Sequence, residues 1–90
     1  MDTVTVQTSD KIEAAFFWSQ PGAKFVQAAP EPQRRRTINF VFTLPLTEGG
    51  LVTLRTKFYN QDAIVEPKQF IAKLQDVDNV LHEALRAARR

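Results

Sequence analysis

Phe70, Leu74, Val77, Leu81, Ala84 and Ala88 recur at steps of four, three, four, three and four residues. That spacing predicts an amphipathic helix over residues 67–88 with one apolar stripe. Glu66-Pro67 supplies its start, because the first turn of a helix has no use for the N–H that proline lacks. Lys68, Gln75, Asn79, Glu83 and Arg86 lie largely off the stripe. Such a helix makes about six turns and is roughly 30 Å long. In a chain of 90 residues, so long a stripe needs a cover of matching length. Either the rest of the domain supplies it or a second chain does.

The best candidate for that cover is the segment Thr37 to Leu44. Ile38, Phe40, Phe42 and Leu44 alternate with Thr37, Asn39, Val41 and Thr43, so the four apolar residues share one face of a strand. A partner strand is expected at Ala23–Ala29. Pro30 and Pro32 interrupt a ladder, which makes Pro30–Gln33 a loop and Arg36–Leu44 the returning strand of a β-hairpin. Arg34-Arg35-Arg36 stands where that strand opens. Val4 and Val6 alternate with polar neighbours, so residues 1–7 fit an N-terminal arm or a third, edge strand.

Two segments remain open between helix and strand. Asp10 and Glu13 stand three apart, close to a capping box, and Ile12, Ala15 and Phe16 would share a helical face. The aromatic run Phe16, Phe17, Trp18 suits a strand instead. Leu51 to Tyr59 alternates as a strand through Val52, Leu54, Thr56 and Phe58. It also has helical spacing at Leu51, Leu54 and Phe58, with Thr47 as cap. Propensity alone favours strand there. A short extended piece is expected at Ala63–Val65.

The order of motifs narrows the choice. TSD, AAF and PG.KF (Thr8 to Phe25), then RRRTINFVF (Arg34 to Phe42), then KFYNQDAIVEP.QF (Lys57 to Phe70) resemble an uncharacterised domain family of short bacterial and phage proteins. The resemblance implies helices at Asp10–Trp18 and Thr47–Tyr59, although Gly49-Gly50 departs from its pattern. It implies no activity and brings no functional residue with it. The expected fold is therefore α+β: one small domain over residues 1–90, a β-hairpin packed by helices, with a long C-terminal amphipathic helix. The alternative is a four- to five-stranded antiparallel sheet plus that one helix.

Composition excludes much chemistry. With no cysteine there is no disulfide, thiolate nucleophile or cysteine-ligated metal, and the only histidine is His82. Asp78, four residues before it, suggests an exposed contact along the helix. Asp76 and Asp78 point about 200° apart and do not make a metal site. Gly49-Gly50 lacks the Lys-Ser/Thr of a phosphate loop. A non-enzymatic protein with no cofactor is expected. The opening MDTVTVQTSD lacks the basic and apolar regions of a signal peptide. The longest apolar run, Ala14 to Trp18, has five residues against the ~20 of a membrane span. A cytoplasmic protein with no membrane partner and no small-molecule substrate is the expectation.

The net charge of +2 hides concentrated blocks. Residues 34–60 carry five Lys/Arg against one Glu, and residues 86–90 carry three Arg against none. Arg34, Arg35 and Arg36, joined by Arg55 and Lys57, would suit the phosphates of DNA or RNA. Arg86, Arg89 and Arg90 form a second patch, well placed to complement a helix C-terminus. Phe40 and Phe42 could stack bases if exposed, but the apolar run on their face fits a core better. Trp18 and Tyr59, at element ends, are better candidates for exposed contacts, with a partly buried anchor as the commoner role of such residues. Two functions follow. The first is a protein-interaction module that binds another protein or its own copy as a homodimer, through Phe70, Leu74, Val77, Leu81 and Ala84. The alternative is a nucleic-acid-binding protein using Arg34–Arg36, Arg55 and Lys57.

Overall fold

The element order is β1 (Val4–Thr8), α1 (Lys11–Trp18), β2 (Lys24–Glu31), β3 (Arg34–Leu44), α2 (Glu48–Tyr59) and α3 (Pro67–Ala88). The computed structural model describes residues 2–61 and 65–88, with only the backbone of Arg35, Arg36 and Ala88. The strands form an antiparallel sheet in the order β1-β3-β2, so β3 is central and the other two are edges. This is the expected α+β class, and the described residues form a sheet of three strands in place of the alternative's four or five. Of the piece expected at Ala63–Val65, residues 63 and 64 lie outside the described residues.

The alternation in β3 does what the pattern requires. Ile38, Phe40, Phe42 and Leu44 are buried, together with Val6 from β1. The opposite face carries Thr5, Gln7, Lys24, Gln27, Asn39 and Thr43, exposed or half-buried around Val41. The helices gather on the first face alone.

The expected loop at Pro30–Gln33 is shorter than proposed. β2 runs through Pro30 to Glu31, and only Pro32 and Gln33 form the turn. Proline is tolerated there because β2 is an edge strand: its missing N–H faces away from β3. Register shifts at Phe25/Gln27 and Pro30/Glu31 absorb the irregularity.

Helix wins in both ambiguous segments. In α1, Asp10 Oδ1 accepts the N–H groups of Ile12 (2.8 Å) and Glu13 (3.0 Å), satisfying two donors of the first turn. The five residues Glu13 to Phe17 are all buried. A helix apolar around its circumference must be central, and α1 is packed by the sheet, α2 and α3. Ile12 is the exception to the face read from spacing, since it points outward. In α2, Thr47 Oγ1 accepts the Gly50 N–H at 3.0 Å and caps the turn that holds both glycines.

Glu66 caps α3 through Oε2, which accepts the Gln69 N–H at 2.6 Å. The helix then runs antiparallel to α1. Gln69 reaches the Ser19 carbonyl at one end, and Lys11 pairs with Asp78 at 2.7 Å toward the other. At roughly 33 Å for its 22 residues, it nearly spans the 38 Å long axis of the molecule. No helix among the described residues is long and apolar enough to cross a membrane.

Candidate functional site

The two sheet edges are treated differently. On β1, Arg55 of α2 donates to the Gln7 carbonyl at 2.9 Å, so a side chain takes the edge acceptor. On β2, the orientation of Pro30 sets what is offered. Residues two apart in a strand point their backbone groups the same way, so Ala28 presents its N–H and C=O outward beside the Pro30 carbonyl. Alongside this edge lies a groove of about 290 Å³ between β2 and α3. Phe25 and Ala28 form one wall, Val80 and Ala84 the other, and Glu83 sits at the rim.

This groove relocates the apolar stripe of α3. Val77 is fully buried in the chain's own core, so it offers a partner no surface. Phe70, Leu74, Leu81 and Ala84 are half-buried against that core, and Val80 and Leu85 widen the stripe. Of the five stripe residues expected at an interface, only Ala84 lines the groove. Spacing did not single out Phe25, Ala28 or Val80; the one sequence sign was Pro30, which marks an edge strand.

Arg34, Arg55 and Lys57 do not come together. Arg34 is exposed at the mouth of the hairpin, next to the turn. Lys57 lies near Leu44, at the other end of the same strand, about 33 Å away along β3. Arg55 is turned inward. Its guanidinium lies 3.5 Å from Glu13 Oε1 and 5.3 Å from the Phe17 ring centroid. Its charge already serves a buried carboxylate, apart from the exposed Arg34. The side chains of Arg35 and Arg36, and residues 89 and 90, lie outside the described residues.

Glu13 is the residue the sequence concealed. Read as the third residue of a helix start, it is only 2% exposed. Glu13 Oε2 and Arg55 Nε are both buried without a hydrogen-bond partner. The Tyr59 phenol, itself 66% exposed, has its pKa raised above the usual 10.0. Hydrogen bonding toward the Glu13 carboxylate is the main cause, followed by burial and the negative charge of Glu13. The cluster joins α1, α2 and β1 and is a clamp between elements.

The remaining candidates resolve simply. Phe40 and Phe42 are core residues, not a stacking platform. Trp18 is a half-buried anchor, stacked on Phe25 with centroids 5.0 Å apart, and the Lys73 ammonium lies over its ring. Asp78 pairs with Lys11 and Asp76 with Lys73, so neither carboxylate turns to His82. Comparison with protein-family models finds no match, and comparisons with curated proteins and with solved structures find none either.

Proposed function

We propose that the protein is an interaction module that binds an extended polypeptide segment along β2, with one apolar side chain seated between β2 and α3. The observation that carries this reading is the free edge at Ala28–Pro30 lying directly beside the apolar groove. Edge backbone groups give affinity by strand addition, and a neighbouring pocket selects a side chain. Glu83 at the rim favours a basic residue next to the anchor. The α3 stripe contributes through Ala84, and Phe70, Leu74 and Leu81 support the wall from within. The resemblance to small bacterial and phage proteins suits such an adaptor and adds no residue to it.

The test is selection of displayed random peptides on the wild-type protein and on Ala84→Trp, whose indole fills the groove. The expected result is a family of peptides with one apolar anchor and an adjacent Lys or Arg, lost on Ala84→Trp. Light scattering of both proteins identifies the alternative occupant. A wild-type dimer that Ala84→Trp converts to monomer means that a second copy fills the groove. If Ala84→Trp retains the wild-type fold by circular dichroism and the same peptides bind it equally, the reading is wrong. Nucleic-acid binding is a second reading, favoured by the exposed Arg34 at the hairpin mouth, and it now rests on Arg34–Arg36 alone. It requires binding that weakens steeply with salt and disappears in the triple alanine variant.

A further inference from the structure

A second cavity, of about 320 Å³, lies between the end of α1, the β3–α2 link and one side of α2. Pro21, Leu44, Pro45, Leu46 and Leu54 make it apolar. Three polar side chains also line it, and two of them are engaged. The Gln20 amide donates to the Phe16 carbonyl at 3.1 Å, and the Thr53 hydroxyl donates to the Gly49 carbonyl at 3.1 Å. The third is Lys57, which among the described residues is the only charged one lining the cavity and forms no ion pair. Gly50 contributes a bare stretch of helix to the wall. A helical glycine is unfavourable by about 1 kcal/mol relative to alanine. A Cβ there would stand 3.4 Å from both Leu46 Cβ and Thr47 Oγ1.

We propose that this cavity binds a small carboxylate with an apolar body, the body on the leucine and proline walls and the carboxylate on the Lys57 ammonium. One free cation beside an apolar chamber matches one negative charge on an apolar molecule. A single ammonium is a point charge; a phosphate is better held by several donors or a bidentate fork, which this wall does not offer. Cavity volume is at the lower end of the range for small-molecule sites, which limits the body to a short chain or a single ring. The site is separate from the groove beside β2, and either proposal stands or falls without the other.

The test uses octanoate, octanol and acetate as probes, with amide chemical shifts of the labelled protein as readout. Octanoate is expected to saturate and to shift residues around Leu44–Leu46 and Gly50–Lys57. Octanol, with the body but no charge, should bind several-fold more weakly, and acetate should not bind detectably. Lys57→Gln should weaken octanoate by about fivefold, the upper range for a partly exposed ion pair, and leave octanol unchanged. Lys57 is exposed, so this variant is expected to fold normally. No saturable octanoate binding overturns the proposal. So do equal affinities for octanoate and octanol, an unchanged affinity in Lys57→Gln, or shifts confined to the Phe25–Ala84 groove.

Discussion

Gly22 and Gln61 are the described residues with positive φ, at 76° and 62°, and they meet that demand differently. Gly22 turns the chain from α1 into β2, and a Cβ there would lie 2.9 Å from Pro45 Cγ. Gly22→Ala therefore combines a left-handed penalty of about 1–2 kcal/mol with a steric shift. An overall loss of about 2 kcal/mol or more in urea unfolding is expected. Gln61 follows the end of α2, where its N–H is bonded to the Phe58 carbonyl, the position glycine usually holds. Gln61→Gly should gain about 0.5 kcal/mol, since relief of strain exceeds the added freedom of the unfolded chain. Tyr59 offers a different reporter, being the chain's one tyrosine. Its ultraviolet titration should have a midpoint above 10.0 that falls back in Glu13→Gln, because a neutral amide holds the phenol proton less well. Just above pH 10 the folded protein keeps a proton that the unfolded chain has released. Stability therefore falls as pH rises through that window.

Helix α2 has no fully buried residue. Leu51, Leu54 and Phe58 reach the core from one side, with Phe58 against Phe16 at 5.0 Å between centroids. The Arg55–Glu13 pair fastens the same side to α1 and β1. Arg55→Ala would leave a buried carboxylate without its counter-charge. A loss of about 2–3 kcal/mol is expected, at the lower end for such a deletion because Arg55 is itself partly exposed. Amide exchange in α2 should accelerate more than in α1. Gly49→Ala should act in the opposite sense. Nothing lies closer than 3.9 Å to a Cβ at that position, so the variant gains helix propensity of about 0.5–1 kcal/mol. Together the two variants separate the anchoring of α2 from its intrinsic helicity, with both changes read in thermal melts.

Because every helix sits on one face of the sheet, neighbours on β3 live in different environments. Phe42 is fully buried beneath the helices, within 6 Å of both Trp18 and Phe25 by ring centroids. Val41, one residue away, is also buried, but on the other face, between Gln7 and Gln27 and outside the main core. Phe42→Ala is expected to lose about 3–5 kcal/mol, a large share of the stability of a domain of this size. Val41→Thr should lose about 1 kcal/mol or less, its hydroxyl lying among polar side chains. Similar losses at both positions in denaturant titrations would contradict a one-sided sheet.

The three regular signals of the chain were local ones, and they were legible as such. Alternation placed the buried face of β3, steps of three and four placed α3 at residues 67–88, and Asp10 and Thr47 marked helix starts by the hydrogen bonds they accept. Propensity misled at Leu51–Tyr59, where it favoured a strand, because α2 is held by contacts distant in the chain. The same limit hid Glu13: its burial comes from α2, some forty residues later, and no spacing around Asp10 announces it. Of the basic set Arg34–Arg36, Arg55 and Lys57, the members Arg34, Arg55 and Lys57 lie apart for a related reason. Closeness in charge pattern carries no information about which end of a strand each residue occupies. The periodicity of side chains along one element is determined by its own backbone geometry. Which edge stays open, which charge is neutralised and which cavity forms depend on how separate elements meet, and only the tertiary structure decides that.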